Sequence, residues 1–113
     1  MAFAPRGRTY PFPAVAAFSN TGAVQMDAGA QIRIHNMSNS IAWVLIEGEQ
    51  AKANAAAIPS TGTPTRAFSM EPGSVEVFQT ASGNLIPGPW VNVCTPTDTS
   101  GTSSVNVTPG AGE

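Results

Sequence analysis

Few residues of this chain carry side chains that could do chemistry, and those few stand far apart. His35 is the only histidine, Lys52 the only lysine and Cys94 the only cysteine. A catalytic triad needs a nucleophile, a histidine base and a third orienting group, and a zinc site needs several His or Cys ligands. Neither arrangement is signalled around His35, which we predict to face solvent from a strand. Lys52 lies in an alanine-rich stretch, a poor place for an amine that must be desolvated.

The acidic residues suggest two further kinds of site. Asp98 opens Asp-Thr-Ser-Gly at 98–101, which resembles the Asp-Thr-Gly motif of aspartic proteases except for an inserted residue. The insertion would misplace the carboxylates of a protease dimer, so we predict a turn in which Asp98 makes local backbone hydrogen bonds. Glu47 and Glu49 flank a glycine at the end of a predicted strand. They could bind a cation, but we expect them to solvate the strand edge against unwanted pairing.

Glu71 and Glu76 form a second acidic pair. Other reactive patterns are missing from the sequence, since the glycine-rich stretches lack the Gly-Lys-Ser/Thr of a phosphate-binding loop. No aromatic and basic face of the kind that binds single-stranded nucleic acid is visible. We therefore predict a protein that is not an enzyme and has no cofactor, no metal and no nucleic-acid partner.

Composition favours one domain with a weakly charged surface. The chain has 113 residues, of which 42% are apolar and 11% charged, with a net charge of −2. An average soluble domain has about 25% charged residues. A surface rich in Ser, Thr, Asn, Gln, Ala and Gly suits repeated contacts with neighbouring chains, although a neutral β-protein without special partners would have the same composition. The lone Cys94 cannot form an intramolecular disulfide.

The sequence shows no apolar segment that would direct the chain to or through a membrane. Its first residues lack the continuous apolar run of a signal peptide, and no segment approaches the ~20 apolar residues of a membrane helix. We therefore expect synthesis in a cytosol and no membrane partner.

Residues 1–13 are predicted to form an extended arm. Three prolines in this stretch remove backbone donors and disfavour helix. The segment carries two arginines and no acid, whereas residues 14–113 carry three basic and seven acidic residues, a net charge of −4. The arm could dock on an acidic neighbour, or the arginines could simply solubilise a tail. The candidate partner contacts are Phe3, Arg6, Arg8, Tyr10 and Phe12.

Residues 14–113 read as a β domain. Short alternating segments occur every 10 to 15 residues, and we predict an all-β fold, an antiparallel β-sandwich or jelly roll of about seven or eight short strands. Residues 31–36 and 41–48 are expected to pair as an antiparallel hairpin. The segment 50–65 is predicted to be a loop, with a helical turn as the alternative. The predicted core residues are Ile32, Ile34, Trp43, Leu45, Val75, Val77, Val91, Val93, Val105 and Val107.

Turn residues support these strands. Short strands are also expected within 13–19 and at 23–26, and 84–89 is predicted to be a turn. Pro72-Gly73 has the residues of a type II turn and leads directly into an alternating strand. Residues 104–108 form the last predicted strand, which we expect to end at Pro109.

Three segments together resemble small virion structural proteins of tailed bacteriophages. They are Ile-Arg-Ile-His-Asn followed by Ser-Ile-Ala-Trp-Val within 32–44, Phe-Ser-Met-Glu-Pro-Gly-Ser-Val-Glu-Val-Phe at 68–78, and Val-Asn-Val-Thr-Pro-Gly-Ala-Gly-Glu at 105–113. The turn glycines Gly73 and Gly110 and the valines of these strands match the pattern, whereas the arm lies outside it and the alanine-rich loop departs from it. No functional residue is carried over.

The resemblance implies a one-domain β-sandwich that acts as a capsid decoration or cement protein. Its expected partners are the major capsid protein and other copies of itself, as a dimer or trimer, and its expected location is the capsid surface of the virion. Alternatives are a head-completion, tail or fibre-attachment protein, or a carbohydrate-binding module that uses Trp43 and Trp90 as a sugar platform.

Overall fold

The computed structural model describes residues 3–27, 31–79, 88–98 and 103–112, which form two antiparallel β-sheets. The described strands are β1 Phe3–Pro5, β2 Tyr10–Pro13, β3 Val24–Gln25, β4 Gln31–Asn36, β5 Ala42–Glu47, β6 Phe68–Met70, β7 Val75–Gln79, β8 Trp90–Cys94 and β9 Ser104–Gly112. Sheet A has the order β1-β9-β4-β7, with β2 also paired to β9, and sheet B has the order β3-β8-β5-β6. The predicted antiparallel β-sandwich is confirmed. The one helix within these ranges, α1 (Gln50–Asn54), is too short to cross a membrane.

The core lies between the two sheets and is built from alternate residues of their strands. Its buried members are Phe12, Met26, Ile32, Ile34, Ala42, Val44, Met70, Val91, Val93, Val105 and Val107. The prediction is confirmed for the isoleucines of β4 and for the valine pairs of β8 and β9. Each of these strands alternates because successive side chains of a strand point to opposite faces.

Val75 and Val77 are exposed on the outer face of sheet A, so their predicted place in the core is wrong. They are 44% and 45% exposed. β7 pairs with β4 in a register that sets Val75 opposite His35 and Val77 opposite Arg33. Opposite residues share a face, and the isoleucines that alternate with His35 and Arg33 fill the core. The valines of β7 must therefore point outward.

Phe78 is the residue of β7 that packs against the core. Its ring centroid lies 4.6 Å from that of Phe68. The turn before the strand is as predicted: Gly73 has a φ of +81°, and the N–H of Ser74 donates to the carbonyl of Glu71 at 3.1 Å. The predicted alternation of β7 is confirmed, and so is the predicted place of Phe78 in the inter-sheet core, whereas the valines predicted to face the core lie on the outer face.

β4 and β5 lie in opposite sheets, so the predicted hairpin between them is wrong. Residues 37–41 cross from one sheet to the other at a corner organised by Asn36, which is fully buried. The Asn36 amide donates to the carbonyls of Ser40 and Met70 at 3.0 and 3.1 Å. Its Oδ1 accepts from the Ser38 hydroxyl at 2.6 Å. A short connection between two strands suits a crossing between sheets as well as a hairpin, and these buried hydrogen bonds select the crossing.

Trp43 and Leu45, both predicted for the inter-sheet core, lie on the outer face of sheet B. They alternate with Val44, which faces the core. Leu45 is nevertheless buried because α1 and the residues after it cover this part of the sheet, whereas Trp43 is half-buried. Asn92, opposite Leu45 on β8, donates to the carbonyl of Ala53 in α1 at 3.0 Å.

Two connecting segments cover this outer face. Residues 14–23 are irregular, although a strand was predicted within 13–19. The N–H of Thr95 donates to the carbonyl of Val15 at 2.8 Å, and Asn92 donates to that of Ser19 at 3.0 Å. The alanine-rich segment starts with the one-turn helix α1 and continues as a loop. The predicted turn at 84–89 lies largely outside the described residues.

The N-terminal segment forms part of sheet A. β1 and β2 both pair antiparallel with β9, which continues through Pro109 to Gly112 instead of ending at Pro109. Phe12 of β2 lies opposite Val105 and is only 3% exposed. The division of the chain after residue 13 therefore separates strands that share one sheet and one core.

Candidate interaction surfaces

Arg8 and Asp27 fasten the segment between β1 and β2 to the end of sheet B. The backbone N–H and Nε of Arg8 donate to Asp27 Oδ2 at 2.8 and 3.0 Å, and Nη2 donates to Oδ1 at 2.9 Å. The side-chain hydrogen bond from Arg8, with the backbone bond, lowers the pKa of Asp27 to about 2, and the same pairing raises the pKa of Arg8. A basic residue of the predicted arm thus docks on an acid of its own domain.

Gly7 makes this contact possible by leaving room for Asp27. A Cβ atom at Gly7 would lie 2.6 Å from the Cβ of Asp27 and 3.0 Å from Cγ of Pro109. The next residue back, Arg6, donates its N–H to the carbonyl of Pro109 at 2.9 Å. A glycine, which has no side chain, can allow another segment to pack close to the backbone. Nothing in the sequence indicated that Asp27 would be the residue packed against Gly7.

The five predicted partner contacts have different environments. Arg6, Arg8 and Tyr10 are exposed and accessible to a partner. Phe12 lies in the core, so it supports its own domain instead of contacting a partner; the ring of Tyr10 packs edge-on against it, with the centroids 4.7 Å apart. The backbone of Phe3 pairs with β9, and the placement of its side chain lies outside the described part of the structure.

The outer face of sheet A presents apolar side chains that sequence reasoning had assigned to the core. Two of the rows that cross β7, β4 and β9 contain these valines: Val75, His35 and Asn106 form one, and Val77, Arg33 and Thr108 form the other. Met37, 53% exposed, extends the first row, since Asn106 Nδ2 lies 3.1 Å from its sulfur. His35 lies on this outer face, as predicted, but is half-buried between its neighbours. An apolar centre beside polar side chains is typical of a protein contact surface.

Trp43 and Trp90 lie at opposite ends of the outer face of sheet B. Trp43 is opposite Cys94, and Trp90 is opposite Glu47. The two positions are four residues apart along β5, about 13 Å. The row between them, Leu45 and Asn92, is covered by α1 and the residues after it. The two tryptophans therefore do not form a shared aromatic platform.

The single reactive residues stay apart in the structure. Cys94 is buried, and burial raises the pKa of its thiol to about 11, which disfavours the reactive thiolate. Lys52 pairs with Glu49 at 3.2 Å. Asp98 accepts the backbone N–H of Asn39 at 3.2 Å, a contact distant in sequence, and the rest of its Asp-Thr-Ser-Gly stretch lies outside the described residues. Within the described ranges, no group of three His, Cys, Asp or Glu residues could hold a metal ion.

Comparison with known proteins adds no relative. No family model, curated protein or solved structure matches this chain. The case for a function rests on the surfaces of the domain and on its sequence pattern.

Proposed function

We propose that this protein is a non-enzymatic structural subunit of a phage virion, which binds the major capsid shell as a decoration or cement protein. The observation that carries the proposal is the pair Val75 and Val77, exposed side by side on the outer face of sheet A. Apolar side chains held on the surface of a sheet gain free energy when another protein removes them from water. This face is the proposed capsid contact.

The segments that carry the sequence resemblance lie in both sheets. They include most of β4, β7 and β9, which are neighbouring strands of sheet A, together with β6 and part of β5 of sheet B. Among the side chains of these strands that point away from the core, Val75 and Val77 are exposed to a partner, whereas Thr108 is buried and hydrogen-bonded to Thr9. The exposed valines therefore identify the proposed contact face, and the resemblance supports the virion role without selecting a face.

The low charge of the protein suits this role. Arg33 is the charged residue within the two rows of the outer face, so docking requires little desolvation of charge. A contact of this kind is weak for one copy. When many copies bind one regular shell and also contact one another as dimers or trimers, the effective concentration of each binding site rises. The overall binding of the assembled copies is then strong.

Capsids that lack the protein provide the direct test. Purified protein added to them should bind at a fixed stoichiometry and raise the temperature at which the shells lose their contents. Val77→Glu should weaken this binding at least tenfold while the thermal unfolding of the free subunit changes little. The matched control is Val15→Glu, because Val15 is a valine of similar exposure whose backbone is hydrogen-bonded to Thr95, at the end of a strand of sheet B.

Two results would contradict the proposal. No binding to the shells would exclude a decoration role, and equal binding by both variants would exclude the outer face of sheet A as the contact. Copy number in purified particles separates the related functions. A number comparable to that of the major capsid protein supports decoration, whereas a number that fits one ring supports a head-completion or tail protein.

A further inference from the structure

A groove of about 340 Å³ lies over the outer face of sheet B, between β5 and the residues that follow α1. Its lining includes Leu45, Glu47, Lys52 and Arg66, with the methyl groups of residues 55–57 along one wall. Its volume falls in the range of small-molecule sites, about 300–1,000 Å³. The capsid role proposed above makes no use of this face.

Glu47 is a buried carboxylate in the lining of this groove. Its side chain is only 9% exposed, whereas that of its ion-pair partner, Arg66, is 77% exposed; Arg66 Nε lies 3.2 Å from Glu47 Oε2. The sequence had suggested that Glu47 solvates a strand edge together with Glu49, and this is wrong for Glu47. Burying a carboxylate costs free energy, and one partially solvated cation offsets only part of that cost.

The groove offers hydrogen-bond acceptors and donors together. Glu47 only accepts when ionised, and Arg66 and Lys52 only donate. The carboxylate of Glu47 would repel a purely anionic ligand, and the guanidinium of Arg66 and the ammonium of Lys52 would repel a purely cationic one. A neutral ligand with several hydroxyl groups can donate to Glu47 and accept from Arg66 at once, while its C–H groups lie against the alanine methyls.

An aromatic ring stands beside the acid. Trp90 lies directly opposite Glu47 on β8, and residues so paired have Cβ atoms about 5 Å apart. Gln25 lies opposite Trp90 on the other side. One row across three strands therefore presents an amide, an indole and a carboxylate on the same outer face.

We infer that this groove is a carbohydrate-binding site. Glu47 accepts hydrogen bonds from sugar hydroxyls and Arg66 donates to them, whereas Trp90, opposite Glu47 on β8, lies outside the groove lining. The inference is independent of capsid binding, because the proposed capsid contact is on the other sheet. It also does not require Trp43, which is about 13 Å away along the strand.

Titration of the full-length protein with neutral sugars, followed by two-dimensional NMR, tests the inference. The probes are glucose, galactose, mannose, N-acetylglucosamine and their short oligomers. At least one should shift the backbone amides of residues 55–57 and 65–67, which line the groove. Glu47→Gln should weaken that sugar about tenfold, as expected from loss of a charge-assisted hydrogen bond. The matched control Glu76→Gln removes an exposed carboxylate on β7 of sheet A, away from the groove, and should leave the affinity unchanged.

A second variant keeps the test decisive if Glu47→Gln lowers stability. Arg66→Gln changes an exposed side chain and should weaken the same sugar. It removes the ion-pair partner of the buried Glu47 carboxylate, so the melting temperature should also fall, and a dispersed NMR spectrum shows that the variant is folded under the conditions of the titration. The inference is overturned if no sugar shifts these resonances at ~10 mM, a concentration that detects binding in the millimolar range. It is equally overturned if Arg66→Gln binds like the wild type, or if acetate or guanidinium binds the groove and the sugars do not.

Discussion

The Arg8 guanidinium and the Asp27 carboxylate form a two-point ion pair that joins the first strands of sheet A to the end of a sheet B strand. The contact is reinforced by the backbone N–H of Arg8. Asp27 follows β3, and Arg8 precedes β2, so the pair links the edge strands of two sheets. Together with the pairing of β1 and β2 to β9, this contact holds residues 3–13 against the β-sandwich, although their composition resembles that of a free tail.

Acidification should remove the contribution of this pair to stability. The folded-state pKa of Asp27 is about 2, below the value of about 3.9 for an unfolded chain. A carboxyl with a lowered pKa stabilises the fold above its unfolded pKa, and this contribution is lost as the pH falls from about 4 to about 2. Melting curves of the wild type and Asp27→Asn should therefore converge over that interval. Both charges are partly exposed, so the difference is small, and a gap independent of pH would contradict the assignment.

Alanine at Gly7 should loosen the same contact by steric means. The new Cβ would stand 2.6 Å from that of Asp27, so the segment or the acid must move. We expect a loss of about 1–3 kcal/mol in the free energy of unfolding, as for other overpacked sites, measured by urea titration. Gly48→Ala is the control, since no heavy atom lies within 4 Å of its added Cβ. Equal stabilities of the two variants would show that the docked segment does not contribute.

Threonine in place of valine should distinguish the two faces of sheet A. Val107 is fully buried, and Val77 is 45% exposed. Val107→Thr places an unpaired hydroxyl in the core and should cost about 1–3 kcal/mol. Val77→Thr leaves the hydroxyl in water and should change the free energy of unfolding by less than about 0.5 kcal/mol. The opposite order in chemical denaturation would restore the original prediction that Val77 faces the core.

Loss of the Asn36 amide should destabilise the corner between the sheets. Asn36→Ala leaves the carbonyls of Ser40 and Met70 without this donor and the Ser38 hydroxyl without its acceptor. We expect a cost of about 3 kcal/mol, because buried polar groups without partners lose their hydration uncompensated. Asn39→Ala serves as the control, since Asn39 contacts Asp98 through its backbone N–H and its side chain is exposed. Calorimetric melting of both variants measures the difference.

The sequence by itself determined the fold class and the position of most strands. Alternation over 31–36, 75–79 and 104–108 needs only neighbouring residues to be visible, and Pro72-Gly73 marks its turn through local backbone preferences. The absence of clustered His, Cys and Lys residues was equally plain. Alternation does not show which of the two faces of a strand is buried. For this reason Val75 and Val77 were predicted to face the core, although they lie on the exposed face.

Only the tertiary structure decided which strands share a sheet and which acids are buried. β4 and β5 lie in different sheets because the Asn36 amide donates to carbonyls that are up to 35 residues away in the chain. Phe12 joins the core because β2 pairs with β9, about 95 residues later in the chain. Glu47 is buried because α1 and the residues after it cover part of sheet B, and Asp27 gains its partner 19 residues earlier. Each outcome depends on contacts between segments that are distant in the chain. A local pattern of residues does not show the free energies of such contacts.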